Sequence, residues 1–297
     1  MATTEQVRRH YAGRDLAARI LAAAGAGAGP VDVDALTPYD QLHAGGAPAT
    51  TALLDLLGLT AGIVLLDVGC GLGGPARLAA RRHGCHVTGV DVSPDFVSAA
   101  RELTDRTGLA DLVTVELGDG ERLPCADASH DRAMQVHVGM NVPDKAALFA
   151  EVHRVVRPGA PFALLDQMRV GAGDLPFPQP WATTADASFV ETPDAYQDAL
   201  AHAGFDVLRV EDRRPALAAG GGRARTDSSS CSATTSPRVS PTTSPRPAQA
   251  CSPRSSCSRA PERLGAAGYS PTSAAVSSAG VPTTAAAPAA ASSPGRA

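Results

Sequence analysis

Between residues 64 and 213, short apolar runs alternate with longer segments in which apolar positions recur every three to four residues. This alternation is typical of successive β–α–β units, and it predicts a Rossmann-like, doubly wound, mostly parallel sheet of the α/β class. The predicted strands are residues 64–68, 86–91, 113–117, 132–137, 161–167 and 206–211.

The helices between these strands have clear start and stop signals. Ser93-Pro94 and Thr192-Pro193 each place an N-cap side chain before a proline at the first helical position, where the missing N–H has no cost. Over residues 144–157 the apolar positions form one face, and Pro158-Gly159 ends the run. We therefore expect helices that pack on the sheet.

The two ends of the chain differ from this central domain, residues 48–213. Residues 5–24 and 48–57 have helical patterns separated by a glycine-rich break, so we predict a helical N-terminal cap over residues 1–47. Residues 214–297 are dominated by Ser, Pro, Ala, Thr, Gly and Arg and have neither helical nor strand periodicity. We predict that this low-complexity tail is disordered, because it has too little apolar surface to offset chain entropy.

Charge separates the same regions and narrows the class of partner. Of the 30 acidic residues only Asp227 and Glu262 follow residue 217, so the body is acidic and the tail basic within a net charge of −4. The body has no clustered basic groove, so we expect a small-molecule partner and no nucleic acid.

The longest apolar helix candidate, residues 16–26, is too short for a membrane span, and no signal-peptide pattern is present. We expect a cytoplasmic protein that does not associate with membranes; the oligomeric state cannot be predicted.

Cysteines point to the same compartment. Cys70, Cys85 and Cys125 are far apart in or beside predicted strands, which suits reduced thiols. The tail cysteines lack the paired spacing and nearby histidines of a zinc site, so no metal is expected.

A glycine-rich turn follows the first strand in Leu65-Leu66-Asp67-Val68-Gly69-Cys70-Gly71-Leu72-Gly73-Gly74. Glycines let the backbone turn tightly and approach a ligand, and the following helix N-terminus offers free N–H groups. Gly69, Gly71 and Gly74 also satisfy the dinucleotide-binding spacing, so this turn alone leaves two cofactor classes open.

Further motifs occur in a fixed order after the turn. Asp91 ends the second strand, where a carboxylate can accept both hydroxyls of a ribose. Gly118-Asp119-Gly120 ends the third strand, and Leu123-Pro124 and residues 154–159, Arg-Val-Val-Arg-Pro-Gly, come later. Together with Tyr39-Asp40-Gln41-Leu42-His43-Ala44-Gly45-Gly46, this series resembles the class I S-adenosylmethionine (SAM)-dependent methyltransferases, specifically the small-molecule branch of sarcosine/dimethylglycine and quinone-biosynthesis enzymes.

The resemblance implies a SAM site. By motif position, Asp67 and the glycine turn would hold the methionine part of SAM, Asp91 the ribose, Asp119 the adenine amino group, and the backbone near Gln135 the sulfonium. The implied cofactor-binding residues are Asp67, Gly69, Gly71, Gly73, Asp91, Val92, Asp119, Gly120 and Gln135. Cys125 and His130 stand where the family usually has phenylalanine, which puts cofactor affinity in doubt.

Acceptor-side candidates lie beyond the fourth strand and in the cap. His137 can accept a proton or orient the acceptor, since histidine titrates near neutral pH, although a structural role explains it equally well. His43, Asn141 and Trp181 are candidates for contact with the acceptor, and Trp181 belongs to a proline-rich stretch where this fold places its lid. Asp166 has the same ambiguity.

Three functions follow from these motifs. The leading one is methyl transfer from SAM to a small molecule, with an amine nitrogen first by resemblance and oxygen or carbon of a natural product or quinone second. A degenerate, non-catalytic methyltransferase is the second. An NAD-dependent oxidoreductase is third, because Lys145 has no tyrosine four residues before it.

The last element of the fold is the seventh strand, which such domains insert antiparallel beside the sixth. No run of β-branched and aromatic residues follows residue 214, so we expect that strand to be missing. A frame shift near residues 214–224 is one explanation of the change in composition, and a native tail is the other.

Overall fold

The computed structural model of the chain describes residues 2–213 and 269–278. Its centre is a seven-stranded sheet in the order β3-β2-β1-β4-β5-β7-β6. The strands are β1 (Val64–Val68), β2 (His86–Asp91), β3 (Val113–Leu117), β4 (Arg132–Val136), β5 (Pro161–Arg169), β6 (Phe205–Asp212) and β7 (Tyr269–Ser278).

The first five strands form the parallel part of the sheet and confirm the predicted α/β class. β1 lies between β2 and β4, with Leu66 opposite both Thr88 and Ala133. β3 and β5 extend the sheet on the two sides, and both pair in parallel with their neighbours. Because the order reverses at β1 and β4, the carboxyl ends of these two strands diverge and leave a crevice at that edge.

The expectation of a missing seventh strand is wrong. Residues 269–278 form β7, which pairs antiparallel with β5 on one side and with β6 on the other. Sequence propensity did not identify this strand because its residues are mostly Ser, Ala and Thr, whereas a strand inserted between two others gains backbone hydrogen bonds on both edges. The rest of the predicted disordered tail, residues 214–268 and 279–297, lies outside the described residues.

Eight α-helices are present in the described part of the chain. They are α1 (Ala2–His10), α2 (Leu16–Ala23), α3 (Val33–Asp40), α4 (Gly46–Leu54), α5 (Gly74–His83), α6 (Pro94–Arg106), α7 (Lys145–Val155) and α8 (Pro193–His202). The predicted N-caps are confirmed: Ser93 Oγ accepts from the Phe96 N–H at 3.4 Å, and Thr192 Oγ1 accepts from the Ala195 N–H at 3.2 Å.

The N-terminal part is helical as expected, but it contains more and shorter helices than the sequence predicted. The single helix expected over residues 5–24 is two helices, because the chain turns at Gly13 and Asp15 adopts a left-handed φ of 53°. Helix α3, which contains Pro38, was not predicted. The domain boundaries at residues 47 and 213 stay a prediction.

A buried ion pair joins this N-terminal part to the sheet domain. The Arg77 guanidinium of α5 donates to Asp40 Oδ2 of α3 at 2.8 Å, and both side chains are essentially inaccessible to solvent. Arg77 also donates to the Ala100 carbonyl and to Thr104 Oγ1, each at 3.3 Å. Such a buried charge is tolerated only with a partner in place, so the pair couples α3 to α5.

The sheet buries both faces. One apolar cluster contains Leu65, Met134 and Leu165 together with α4 and α5, and the other contains Leu66, Phe149 and Phe162 together with α7 and α8. Among residues 2–213 and 269–278, none of the helices combines the length and the apolar content that a membrane span needs.

Candidate active site

A cavity opens at the carboxyl ends of β1 to β4, in the crevice where the strand order reverses. It encloses about 1210 Å³ of atom-free space, part of it open to solvent. Two ends can be distinguished by the residues that line them. The glycine-turn end is lined by Asp67, Gly69, Gly71, Asp91, Val92, Asp119 and Gly120. The histidine end is lined by Tyr11, Leu42, His43, His137, Asn141 and Val142.

The turn after β1 needs glycine at two positions. Gly69 and Gly71 have φ values of 69° and 54°, in the left-handed region. A Cβ at Gly69 would also collide with the side chain of Val138. The turn is held to the sheet, because the Gly69 N–H donates to the Val90 carbonyl at 2.8 Å.

Asp91 is the main polar anchor of this end. Its Oδ2 accepts from the Gly71 N–H and its Oδ1 from the Ser93 N–H, both at 2.8 Å. Burial raises the pKa of the carboxyl, although these amide hydrogen bonds oppose the shift. The carboxylate therefore orders the glycine turn and keeps further lone pairs for a ligand.

Asp67 has a different environment at the same end. It is 1% exposed, and its Oδ2 has no hydrogen-bond partner. Burial, followed by the nearby Asp91, raises the pKa of Asp67 to about 8. A buried polar atom without a partner is costly, so this oxygen is suited to a ligand's donor.

Helix α1 covers the glycine-turn end. Thr4 Oγ1 donates to Asp119 Oδ2 at 3.3 Å, and Arg8 Nε donates to the Val92 carbonyl at 2.9 Å. Asp119 Oδ1 also accepts from the Glu121 N–H at 3.1 Å. The predicted cap thus contacts two of the residues for which sequence reasoning proposed a ligand role.

His137 follows β4 directly and lines the other end. It adopts a φ of 55°, which is uncommon for a residue other than glycine, and its N–H donates to the Leu165 carbonyl at 2.7 Å. Its Nε2 is buried without a hydrogen-bond partner, and its ring centre lies 5.6 Å from that of His43. Burial, with a smaller effect of His43, lowers the pKa of His137 to about 3, so the imidazole is neutral at neutral pH.

His43 is held by the cap. Its Nε2 lies 2.9 Å from Thr50 Oγ1 and 3.2 Å from Gln41 Oε1, and its Nδ1 lies 3.2 Å from the Ala44 carbonyl. Burial lowers the pKa of His43 as well. Two neutral imidazoles therefore meet at the histidine end.

Tyr11 is a cavity residue that sequence reasoning missed. Its hydroxyl accepts from Asn141 Nδ2 at 3.2 Å, and its ring packs on Phe96 with centres 5.3 Å apart. Burial is the largest cause that raises the pKa of Tyr11 to about 12. The only available signal was weak: Tyr11 is the first Phe, Trp or Tyr of the chain and the only one before Tyr39.

Three predicted site residues lie away from the cavity. Gly73 is the N-cap of α5 and packs under the turn against Arg77. The Gln135 side chain is fully buried within the sheet, where its Nε2 donates to Asp166 Oδ2 at 3.2 Å. Trp181 packs in a separate apolar cluster with Met140 and donates from Nε1 to Ser188 Oγ at 3.0 Å. Side chains of a strand alternate between its faces, so a strand-end position alone does not decide which ones reach a cavity.

Two further residues that sequence reasoning singled out, Asp166 and Lys145, are buried and hydrogen-bond within the protein. Asp166 is inaccessible and accepts from the Gly139 N–H at 2.6 Å. Lys145 is buried and donates from Nζ to the carbonyls of Val142 and Phe189. Its Nζ also lies 5.6 Å from the centre of the Tyr196 ring.

Comparison with known proteins shows which family the central residues resemble. A family described as a methyltransferase domain matches residues 66–164, which include the glycine turn, Asp91 and Asp119. These residues thus match a methyltransferase domain, and they lie within an α/β fold of the class I methyltransferase type. The match ends within β5, so it covers the half of the sheet that builds the cavity.

Two curated relatives align with a longer part of this chain than the domain family does. Methyltransferase GfsG of Streptomyces halstedii is 35% identical over 176 residues, which are 58% of this chain and 63% of the relative. The 27-O-demethylrifamycin SV methyltransferase of Amycolatopsis mediterranei is 34% identical over 188 residues, 59% of this chain and 66% of the relative. The chain thus spans slightly less than two thirds of the length of these relatives.

The fold has close counterparts among solved structures. Geranyl diphosphate C-methyltransferase from Streptomyces coelicolor A3(2), in complex with Mg²⁺, geranyl diphosphate and S-adenosyl-L-homocysteine, superposes with a TM-score of 0.61. The alignment covers 93% of this chain and 98% of that one at 17% identity, so it speaks for the fold alone.

Proposed function

We propose that this methyltransferase transfers a methyl group from SAM to a small-molecule acceptor bound in the same cavity. The observation that carries the proposal is the glycine-turn end, where Asp67, Asp91 and the left-handed turn lie together at the carboxyl ends of adjacent strands. The residues of the histidine end line the same cavity, so the acceptor would be bound next to the cofactor.

The residues at the glycine-turn end fit SAM. The Asp91 carboxylate, which retains free lone pairs, suits the two ribose hydroxyls, and Asp119 after β3 suits the adenine amino group. The partnerless Oδ2 of Asp67 suits a donor of the methionine part, and the absence of a Cβ at Gly69 leaves the backbone accessible. Val92 and Gly120 line the walls between these groups.

When bound, SAM supplies a methyl group activated by a positively charged sulfur. The protein then has to hold the acceptor's lone pair in line with that methyl group and to exclude water. α1 serves the second purpose, because its contacts to Asp119 and to the Val92 carbonyl close the cavity. Tyr11 and Asn141, which are hydrogen-bonded to each other, line the same cavity.

Two kinds of atom in the acceptor are candidates to receive the methyl group. The family resemblance favours an amine nitrogen, and oxygen or carbon of a natural product or quinone is the alternative. The curated relatives include a 27-O-demethylrifamycin SV methyltransferase and a norajmaline N-methyltransferase, so the family accommodates both atoms.

Isothermal titration of the full chain with SAM, S-adenosylhomocysteine and NAD tests the proposal. We expect saturable binding of the first two ligands and none of NAD. Asp91→Asn should weaken SAM binding, whereas Asp111→Asn, at an exposed position after α6, should not. A folded protein that binds neither SAM nor S-adenosylhomocysteine would favour the hypothesis of a degenerate, non-catalytic methyltransferase. NAD binding would favour an oxidoreductase.

A further inference from the structure

We propose that Lys145 is a positioning residue for methyl transfer. Its buried ammonium joins the loop after β4, residues 137–144, to the segment after β5, residues 170–192, and thereby fixes one wall of the histidine end. The inference rests on the proposed function and adds to it a residue that does not line the cavity. It follows from the contacts of Lys145 and of the loop.

The loop after β4 is part of the cavity wall. His137, Asn141 and Val142 line the histidine end. Val138 packs against the glycine turn, in the space that a Cβ at Gly69 would need. Under the proposed function the sulfonium of SAM lies near the end of β4, so this loop begins beside the methyl group to be transferred. A shift of the loop would change both the surroundings of that methyl group and the place of an acceptor.

Lys145 holds this loop at its far end. Its Nζ donates to the Val142 carbonyl at 2.5 Å and to the Phe189 carbonyl at 2.9 Å. The first carbonyl belongs to the loop and the second to the segment after β5, so a single ammonium joins the two. The Phe189 N–H also donates to the Met140 carbonyl at 2.8 Å. Lys145 therefore adds a second link between the loop and the segment.

Asp166 holds the same loop closer to β4. Its Oδ2 accepts from the Gly139 N–H at 2.6 Å. A Cβ at residue 139 would collide with this oxygen and with the Tyr196 hydroxyl, so the close approach requires glycine. Lys145 Nζ lies 5.6 Å from the centre of the same Tyr196 ring. A buried acid and a buried ammonium thus hold the loop by its backbone, and neither of them lines the cavity.

Stability alone does not explain a lysine at this position. Lys145 is the first residue of α7, where a cation opposes the helix dipole, and it is only 7% exposed. Burial of an ammonium costs free energy, and an apolar side chain would fill the space without that cost. An ammonium has three N–H donors, which an apolar side chain lacks, and it can therefore bridge two carbonyls from different segments.

Lys145→Met tests the positioning role through the two forms of the cofactor. SAM and S-adenosylhomocysteine differ only in the methyl group and its charge, so the ratio of their dissociation constants reports the surroundings of that group. By isothermal titration, Lys145→Met should bind S-adenosylhomocysteine as the original chain does, whereas SAM should bind about 4-fold more weakly, the effect of exposing one methylene-sized group.

Arg81→Met, at an exposed position of α5, is the control and should leave both dissociation constants unchanged. An unchanged ratio in Lys145→Met would overturn the inference. Equal losses for both ligands would overturn it too, because they would indicate a general structural effect.

Amide hydrogen exchange locates the effect. In Lys145→Met the amides of residues 138–142 should exchange at least about 10-fold faster, which corresponds to the loss of a hydrogen bond to a charged group. The amides of Gly69 and Gly71, which are bonded to the Val90 carbonyl and to Asp91, should keep their rates. Faster exchange across the whole sheet would mean that Lys145 acts on stability alone and would overturn the inference.

A third measurement needs no variant. Lys145 is the single lysine of the sequence, so an amine-specific acetylating reagent has only this side chain and the amino terminus to modify. Lys145 should react at least about 10-fold more slowly in the folded chain than in the chain unfolded in guanidinium chloride, because its ammonium is buried and bonded. Equal rates would overturn the inference. Failure of the original chain to bind SAM and S-adenosylhomocysteine would instead contradict the proposed function.

Discussion

The two ends of the cavity differ in how the chain builds them. At the glycine-turn end the polar residues come from the ends of three neighbouring strands, and the turn is bonded to the sheet itself through the Val90 carbonyl. The histidine end brings together Tyr11, His43 and Asn141, of which Tyr11 and Asn141 are hydrogen-bonded across 130 positions of sequence.

The glycine turn is held by the neighbouring strand, whereas the histidine end joins segments that are far apart in the sequence. The acids of the glycine-turn end come from β1 to β3 and the residues that follow them, and these strands pair in parallel. The histidine end forms only when the N-terminal cap docks on the sheet domain through contacts such as Asp40–Arg77.

The largest expected effect comes from Arg77→Met, which breaks the joint between the cap and α5. It leaves Asp40 buried without its partner, so the free energy of unfolding should fall by about 3–5 kcal/mol. Urea denaturation measures this. Arg81→Met, on the exposed side of the same helix, should change it by less than about 0.5 kcal/mol. Equal stability of the two variants would show that the cap is not held by this pair.

Asp67 makes the glycine-turn end sensitive to pH. Its pKa of about 8 in the folded chain lies above the value of about 3.9 for an exposed aspartate, so folding favours the neutral form. This contribution to stability is full below about pH 4 and is lost as the pH rises towards 8. Asp67→Asn should therefore reduce the loss of stability between pH 5 and pH 8, by an amount on the order of a few kcal/mol.

Denaturation of the ligand-free protein at the two pH values checks this expectation. Asp111→Asn should keep the pH dependence of the original chain, because its carboxylate is exposed. An unchanged slope in Asp67→Asn would contradict the assignment of this titration to Asp67.

Comparing Gly69→Ala with Gly58→Ala separates the steric clash of an added methyl group from the strain of a left-handed backbone. Alanine there meets both a φ of 69° and the Val138 side chain, whereas Gly58→Ala meets a φ of 58° in open space. The free energy of unfolding should fall by about 1–3 kcal/mol more in Gly69→Ala than in Gly58→Ala. SAM titration should show lost affinity in Gly69→Ala alone. Similar losses in both variants would mean that the approach to Val138 is not limiting.

The smallest effect is expected at Tyr11. Tyr11→Phe removes the hydroxyl that accepts from Asn141 but keeps the ring on Phe96, so about 0.5–1.5 kcal/mol of stability should be lost. Tyr39→Phe is the control, because Tyr39 is 41% exposed. Thermal unfolding of both variants distinguishes them. A Tyr11→Phe variant as stable as the control would show that the Tyr11–Asn141 hydrogen bond does not stabilise the fold.

Much of the fold could be predicted because its first strands have clear apolar patterns. Val64–Val68 and His86–Asp91 were located to the residue as mostly buried apolar runs, whereas the edge strand Val113–Leu117 was located as an alternation of buried and more exposed positions. β7 was missed for the opposite reason, because its position between β5 and β6 compensates for a weak strand propensity. α3 was missed because it is short and contains proline.

The candidate site was predicted unevenly for the same physical reason. Asp67, Asp91 and Asp119 occur in register with strand ends, and the structure brings them to one cavity. Gln135 was implied through its backbone, which stays a prediction, while its side chain donates to Asp166 away from the cavity; Trp181 was assigned from chain position, but it packs around Met140.

The sequence by itself determined the parallel sheet, the glycine turn and the acids beside it, because each depends on neighbours a few residues away and on the period of apolar side chains. Only the tertiary structure decided that Tyr11 reaches Asn141, that His43 meets His137 and that both imidazoles are neutral. Those properties arise from burial and from contacts between distant segments, and neither composition nor spacing encodes how much water a side chain loses when the chain folds.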